Sequence, residues 1–162
     1  MHKYTYLKHQ KTLMLSITLL AASLGQNIAH AETIPTSTSG QELGCLAMNI
    51  YHEARGETEK GKLAVAAVTM NRVKAKYYPD TVCGVVWQKK QFSWTELKVK
   101  YHAVNDTKAW VNAIEIAQLF IDGGNWPGVG EATHYHTTAV SPNWKDDTLL
   151  VAQVGNHLFY NL

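Results

Sequence analysis

The chain has 162 residues, 46% of them hydrophobic, with 15 basic and 13 acidic side chains, a make-up that excludes a charge-rich disordered chain. The small positive balance comes from Lys3, Lys8 and Lys11; beyond residue 31 the count is 12 basic against 13 acidic. That near-neutral remainder disfavours a partner held mainly by charge, so no nucleic acid is expected.

The three lysines precede a mostly apolar run, "LMLSITLLAASL", at residues 13–24, and Ala29-His30-Ala31 offers small residues at the two positions a signal peptidase reads. This pattern predicts a secretory signal over residues 1–31, cleaved after Ala31, with an uncleaved anchor helix as the alternative. No later stretch is long and apolar enough to span a bilayer. An exported protein, periplasmic or secreted, with no membrane span after cleavage is expected. Its remaining 131 residues suit one domain with one core, and a monomer. Residues 32–42, "ETIPTSTSGQE", are polar, proline-broken and aperiodic, which predicts a flexible lead-in with order beginning near Leu43.

From there Leu43, Leu46, Ala47, Ile50 and Ala54 mark one helical face. Gly56 is placed to close that helix in a left-handed cap. Thr58 can cap a second helix over residues 59–78, whose middle, "LAVAAVTM", is apolar nearly all round and predicts the buried centre of the domain. Pro79 ends it. A short helix is expected around "TVCGVVWQ", capped by Asp80 or Thr81, then "KKQFSWT" as a loop. A further helix starts at Asp106 or Thr107 and stops at Gly123 and Gly124. "ATHYHTTAV" alternates and favours a strand, and "DTLLVAQVGNHLFYNL" divides into strand pieces flanking Gly155. The sum is an α+β fold: mostly helical, with a small β element near the C-terminal end.

Both cysteines, Cys45 and Cys83, lie beyond the signal. In an oxidising compartment an even pair favours a disulfide, which would stabilise the fold by roughly 3–4 kcal/mol on the chain-entropy model. Two buried free thiols are the alternative.

The segment with chemical content is "NIYHEARGETEKGK", residues 49–62. On a helical wheel Glu53 falls about 80° from the centre of the apolar stripe, at its margin and near a helix end. A carboxyl half covered in this way has a raised pKa, as a glycosidic general acid needs. Glu57 has two readings: a second carboxylate, or a charge favourably placed just ahead of the next helix. Arg55 and His52 point away from the stripe.

"LAMNIYHEARGETEKGKLAVAAVTMNRV", followed by "YPDTVCGVVWQKKQFSW", "ATHYHTTAVSPNW" and "VGNHLFY", resembles the spore-cortex-lytic (SleB-like) cell wall hydrolase family over roughly residues 43–161. The resemblance implies a lysozyme-like catalytic domain over residues 43–162. It makes Glu53, the first acid of E-A-R-G-E, the catalytic residue, and peptidoglycan glycan strands the substrate. No wall-binding repeats precede the motif in this sequence, which turns the expectation away from a cortex-specific role.

Hydrolysis of the β-1,4 bond between N-acetylmuramic acid and N-acetylglucosamine needs a second carboxylate, for which Glu57 is the nearby candidate. Lytic transglycosylation needs only one glutamic acid, acting first as acid and then as base, and the single placed acid favours it. Muramidase-type hydrolysis, a peptidoglycan endopeptidase or amidase, and a non-catalytic glycan-binding module remain alternatives; an inhibitor or scaffold ranks last.

Gln91 and Phe92 of "QFSW", Tyr135 and His136 of "THYHT", and Trp144 are candidate substrate-binding residues. The "QFSW" aromatics serve equally well to pin a loop to the core. His134 and His136 share one strand face, and such a pair can bind zinc, but no third ligand is evident, so neither metal nor cofactor is expected. Asn71 and Arg72 are expected to brace helices.

Overall fold

The computed structural model describes residues 38–98 and 102–161. The predicted signal and the first part of the lead-in, residues 1–37, lie outside the described residues. Helices α1 (Thr38–Ala54), α2 (Glu59–Lys74), α3 (Val82–Val86) and α4 (Thr107–Ile121) precede strands β1 (His134–Thr137), β2 (Leu149–Val154) and β3 (His157–Asn161). The α+β class expected from the sequence is therefore observed, with the strands confined to the last third of the chain.

The second helix forms the centre, as its all-round apolar middle predicts: Ala64 through Thr69 are buried without interruption. Against it pack Leu46, Ala47 and Ile50 of α1 and Ala113, Ala117 and Phe120 of α4. Three N-caps read from sequence are present. The side chains of Thr58, Thr81 and Asp106 accept from the backbone N–H of Gly61, Gly84 and Ala109 respectively.

Polar groups within this core are satisfied in a chain. Trp94 Nε1 donates to Asn49 Oδ1 at 3.2 Å, Asn49 Nδ2 to Thr69 Oγ1 at 3.1 Å, and Thr69 Oγ1 to the Val65 carbonyl at 3.0 Å. The Tyr51 hydroxyl accepts from the backbone N–H of Asn105 and Asp106, each at 3.0 Å, tying α1 to the start of α4.

Four local expectations are corrected. Residues 38–42, expected to belong to a flexible lead-in, are instead helical, continuing α1 toward its N-terminus ahead of Leu43. There Glu42 accepts from the backbone N–H of Val82 and Cys83 at the start of α3, an anchorage that a local reading of "TSTSGQE" does not see. Gly56 is not among the positive-φ glycines, so α1 closes without a left-handed glycine cap. α2 stops at Lys74, short of Tyr78: Ala75 turns extended (φ −86°, ψ 133°) while its N–H returns to the Arg72 carbonyl. The expected "KKQFSWT" loop contains a 3₁₀ turn, Ser93–Glu96.

The sheet is antiparallel in the order β1-β3-β2. Tyr135 opposes Phe159 and Thr137 opposes His157. Alternation then places Tyr135 on one face of β1 and His134 and His136 on the other, and Phe159 is a fully buried member of the core. The turn between β2 and β3 has Gly155 at φ +56°. Cys45 and Cys83 form the expected disulfide, with Cα atoms 5.2 Å apart, joining α1 to α3.

Candidate active site

Glu53 lies in the last turn of α1, half-buried at the edge of the apolar stripe. From β1, the Tyr135 hydroxyl donates to Glu53 Oε2 at 3.1 Å. Burial raises the Glu53 pKa above its ordinary value; the tyrosine hydrogen bond and the positive charge of Arg72 pull the other way without cancelling it. The result is a carboxyl that holds its proton longer than an exposed one and still has two groups ready to stabilise its anion. Tyr135 is held well above the usual phenol range, by burial first and then by the negative charge of Glu53. It therefore remains a donor throughout the neutral range.

Arg72 is the neighbour whose role the sequence understates. It is buried at 5% exposure, donates from Nε to the Thr133 carbonyl at 2.7 Å, and lies between the rings of Tyr78 and Phe92 at 5.4 and 5.2 Å. Bracing is part of its work, as expected, but its charge also acts on Glu53, Tyr135 and His134. Asn71 braces only, donating to the carbonyls of Gly130 and Ala132.

Glu57 faces a different task. Its Oε1 accepts from Asn156 Nδ2 at 3.1 Å, its Oε2 lies 3.5 Å from the Asn156 backbone N, and His157 Nδ1 is 3.9 Å away. A Cβ at Gly155 would collide with the same carboxylate, and one at Gly61 with the Glu57 stem. Both oxygens are thus directed at the β2–β3 turn. Next to that turn His157, 4% exposed, packs its ring 5.5 Å from Tyr135. The two acids of E-A-R-G-E meet the same sheet at different points: Glu53 at a tyrosine and Glu57 at the hairpin turn. Glu57→Ala is expected to cost roughly 1–3 kcal/mol of stability by removing the charged acceptor that holds Asn156. Glu57→Gln, which keeps an acceptor for Asn156, should cost less; thermal denaturation of both variants checks the order.

The other candidate residues fall in separate places. Gln91 lines an open groove of about 940 Å³, together with Tyr78, Thr133 and His134, and Glu53 is not in its wall. Phe92 is withdrawn from any contact surface: it is 3% exposed, in the core, beneath the Arg72 guanidinium. The alternative of an aromatic pinning the loop is the one its position matches. Trp144 covers the outer sheet face, with ring centroids 5.2, 5.6 and 5.5 Å from His134, His136 and Tyr160. His136 is buried, its Nε2 3.0 Å from the Tyr160 hydroxyl and its Nδ1 2.8 Å from the Thr137 carbonyl. His134 is engaged likewise, with Thr133 Oγ1 at 2.9 Å and the Tyr78 hydroxyl at 3.4 Å. Among the described residues no group of three His, Cys, Asp or Glu side chains is placed to hold a metal ion.

On this α+β scaffold a half-buried acid at a helix end is thus met by a tyrosine from a short antiparallel sheet. The family model described as Cell Wall Hydrolase matches residues 56–160, and the chain belongs to that family. The match begins just past Glu53, so the case for that residue rests on its geometry. A spore cortex-lytic enzyme of Oceanobacillus iheyensis is 33% identical over 130 residues, covering 78% of this chain and 44% of the relative. A spore cortex-lytic enzyme of Bacillus subtilis is 32% identical over 135 residues, covering 81% of this chain and 41% of its own. The chain thus spans less than half the length of these curated relatives. Among solved structures, the catalytic domain of the germination-specific lytic transglycosylase SleB from Bacillus anthracis is similar at a TM-score of 0.61. It has 27% identity and covers 74% of this chain and 93% of that one.

Proposed function

We propose that the protein cleaves the β-1,4 bond between N-acetylmuramic acid and N-acetylglucosamine in peptidoglycan by lytic transglycosylation, with Glu53 as acid and then base. The observation that carries this reading is the Tyr135–Glu53 hydrogen bond in a half-buried setting that raises the Glu53 pKa. Protonated Glu53 gives its proton to the glycosidic oxygen as the bond to the muramic C1 breaks. The substrate's own acetamido oxygen holds C1 meanwhile. The Glu53 carboxylate, steadied by the Tyr135 hydroxyl and the Arg72 charge, then takes the proton from the C6 hydroxyl. O6 bonds to C1, the 1,6-anhydro ring closes, and no water is consumed.

This scheme asks nothing of a second carboxylate, in keeping with a Glu57 already engaged by Asn156. The structurally similar B. anthracis protein is itself a lytic transglycosylase, which supports the same chemistry here. The reading extends to an exported monomer, released from a signal at residues 1–31 and acting through residues 43–162 in the periplasm or outside the cell.

Mass spectrometry of muropeptides released from purified sacculi tests it. Anhydro-muropeptides, one water lighter than reducing-end fragments, are the expected product. Reducing ends would mean hydrolysis, new peptide termini would mean an endopeptidase or amidase, and no release would mean a binding module. Tyr135→Phe supplies a finer check. It removes one of the two influences favouring the Glu53 anion, so the alkaline limb of the pH–rate profile should move to higher pH. The lost hydrogen bond should lower the maximal rate about tenfold.

A further inference from the structure

The groove of about 940 Å³ stands apart from the acid and has its own chemistry. Gln91, Asn125 and Asn161 are among the carboxamide residues that line it; Asn71 lines it too, but its amide is taken by the Gly130 and Ala132 carbonyls. Lys74 and Glu131, both exposed, complete the wall with one charge of each sign. Neither forms an ion pair with another described residue. Tyr77 stands almost fully exposed among these lining residues, at 89%.

A glycan strand alone answers only part of this wall. Its hydroxyls and acetamido groups suit the carboxamides, but it brings no cation for Glu131. A peptide bearing amides, carboxylates and a free amino group answers all of it. Peptidoglycan carries such a peptide on the lactyl group of each muramic residue, where it branches away from the sugar backbone. The groove borders the surroundings of the acid through Arg72, which bonds the Thr133 carbonyl, lies over the Tyr78 ring and acts by its charge on Glu53.

We propose that this groove binds the stem peptide of the substrate, with Gln91, Asn125 and Asn161 pairing its amides, Lys74 a carboxylate and Glu131 the free amino group. The proposal rests on peptidoglycan being the substrate. It makes peptide-bearing glycan, rather than stripped strands, the preferred form.

The test separates the groove from the chemistry. The protein carrying Glu53→Gln is titrated with a free stem tripeptide ending in a diamino acid, by calorimetry and by amide chemical shifts, alone and with Lys74→Ala or Glu131→Gln added. Both surface substitutions should weaken tripeptide binding about tenfold, the loss of one charge-assisted contact. With Glu53 intact, KM is measured on soluble glycan bearing stems and on the same glycan stripped by an amidase, which leaves a lactyl carboxylate but no amino group. Glu131→Gln should raise KM about tenfold on the first and leave the second unchanged. Absence of tripeptide binding would overturn the proposal. So would an equal rise in KM on both glycans, which would make the groove a holder of sugar units. Should Glu53→Gln cleave at the normal rate, the catalytic reading would fall, while the tripeptide titration would still decide the groove.

Discussion

Glu53→Gln is expected to lower glycan cleavage by roughly 10²–10⁴-fold, the span usual for loss of a general acid, and to raise thermal stability at neutral pH. The two effects share one cause. Burial raises the Glu53 pKa above the ordinary 4.5, so the ionised form is disfavoured in the folded protein relative to the unfolded chain. Between the unfolded and folded values the native state binds the proton and the unfolded state does not, so stability falls as pH rises through that window. Above the folded value the whole cost of the buried charge is present. A neutral amide removes it. The melting temperature of the variant should therefore exceed that of the parent at pH 7, and the advantage should fade as pH falls to 4.5 and below. A residue kept only for packing would not couple an activity loss to a stability gain of that pH dependence.

Removing the disulfide should give the largest loss of stability. Cys45 and Cys83 are 38 residues apart in sequence, and closing such a loop restricts the unfolded chain by roughly 3–4 kcal/mol. In a domain of this size that corresponds to a fall in melting temperature on the order of 12 °C. The paired substitution Cys45→Ser with Cys83→Ser should show it, and a reductant should bring the parent to a similar value while leaving the double variant unchanged. The bridge pins α3 to α1, and Glu42 reinforces the same junction by accepting from two α3 amides. Activity at temperatures well below the transition should persist, because neither cysteine touches Glu53, Tyr135 or Arg72 in the described contacts.

Those contacts also show where a sequence stops being informative. Local signals are readable because their causes are local: the side chains of Thr58, Thr81 and Asp106 cap the helices that follow them within three residues. The marginal burial of Glu53 follows from helical spacing for the same reason. The Tyr135 hydroxyl reaches Glu53 across 82 residues of sequence and Asn156 reaches Glu57 across 99, and no period in the chain encodes either approach. Alternation does place Tyr135 and the two flanking histidines on opposite strand faces, but which face meets the acid depends on β3 lying between β1 and β2. Gly56 departs from expectation because a glycine after a helix commonly closes it, whereas here the Glu57 N–H returns to the Ala54 carbonyl and a Cβ at Gly56 would meet nothing within 4 Å. Phe92 departs from it because an aromatic beside a glutamine looks the same in sequence whether it faces sugar or core.

The second glutamate of the motif answers why both acids stand so close together. One meets the Tyr135 hydroxyl, and the proposed chemistry needs it alone. The other ties the α1–α2 turn to the hairpin whose central strand backs Tyr135, so losing it should disturb the first acid's partner before it disturbs the chemistry.

The central claim is a carboxyl that stays protonated where exposed ones have ionised. Its most direct test is a ¹³C NMR titration of the labelled Glu53 carboxyl carbon in the folded protein, alongside Tyr135→Phe. A midpoint above 4.5 that climbs further in the variant is the predicted result; a midpoint at or below 4.5, or one indifferent to the tyrosine, would contradict it.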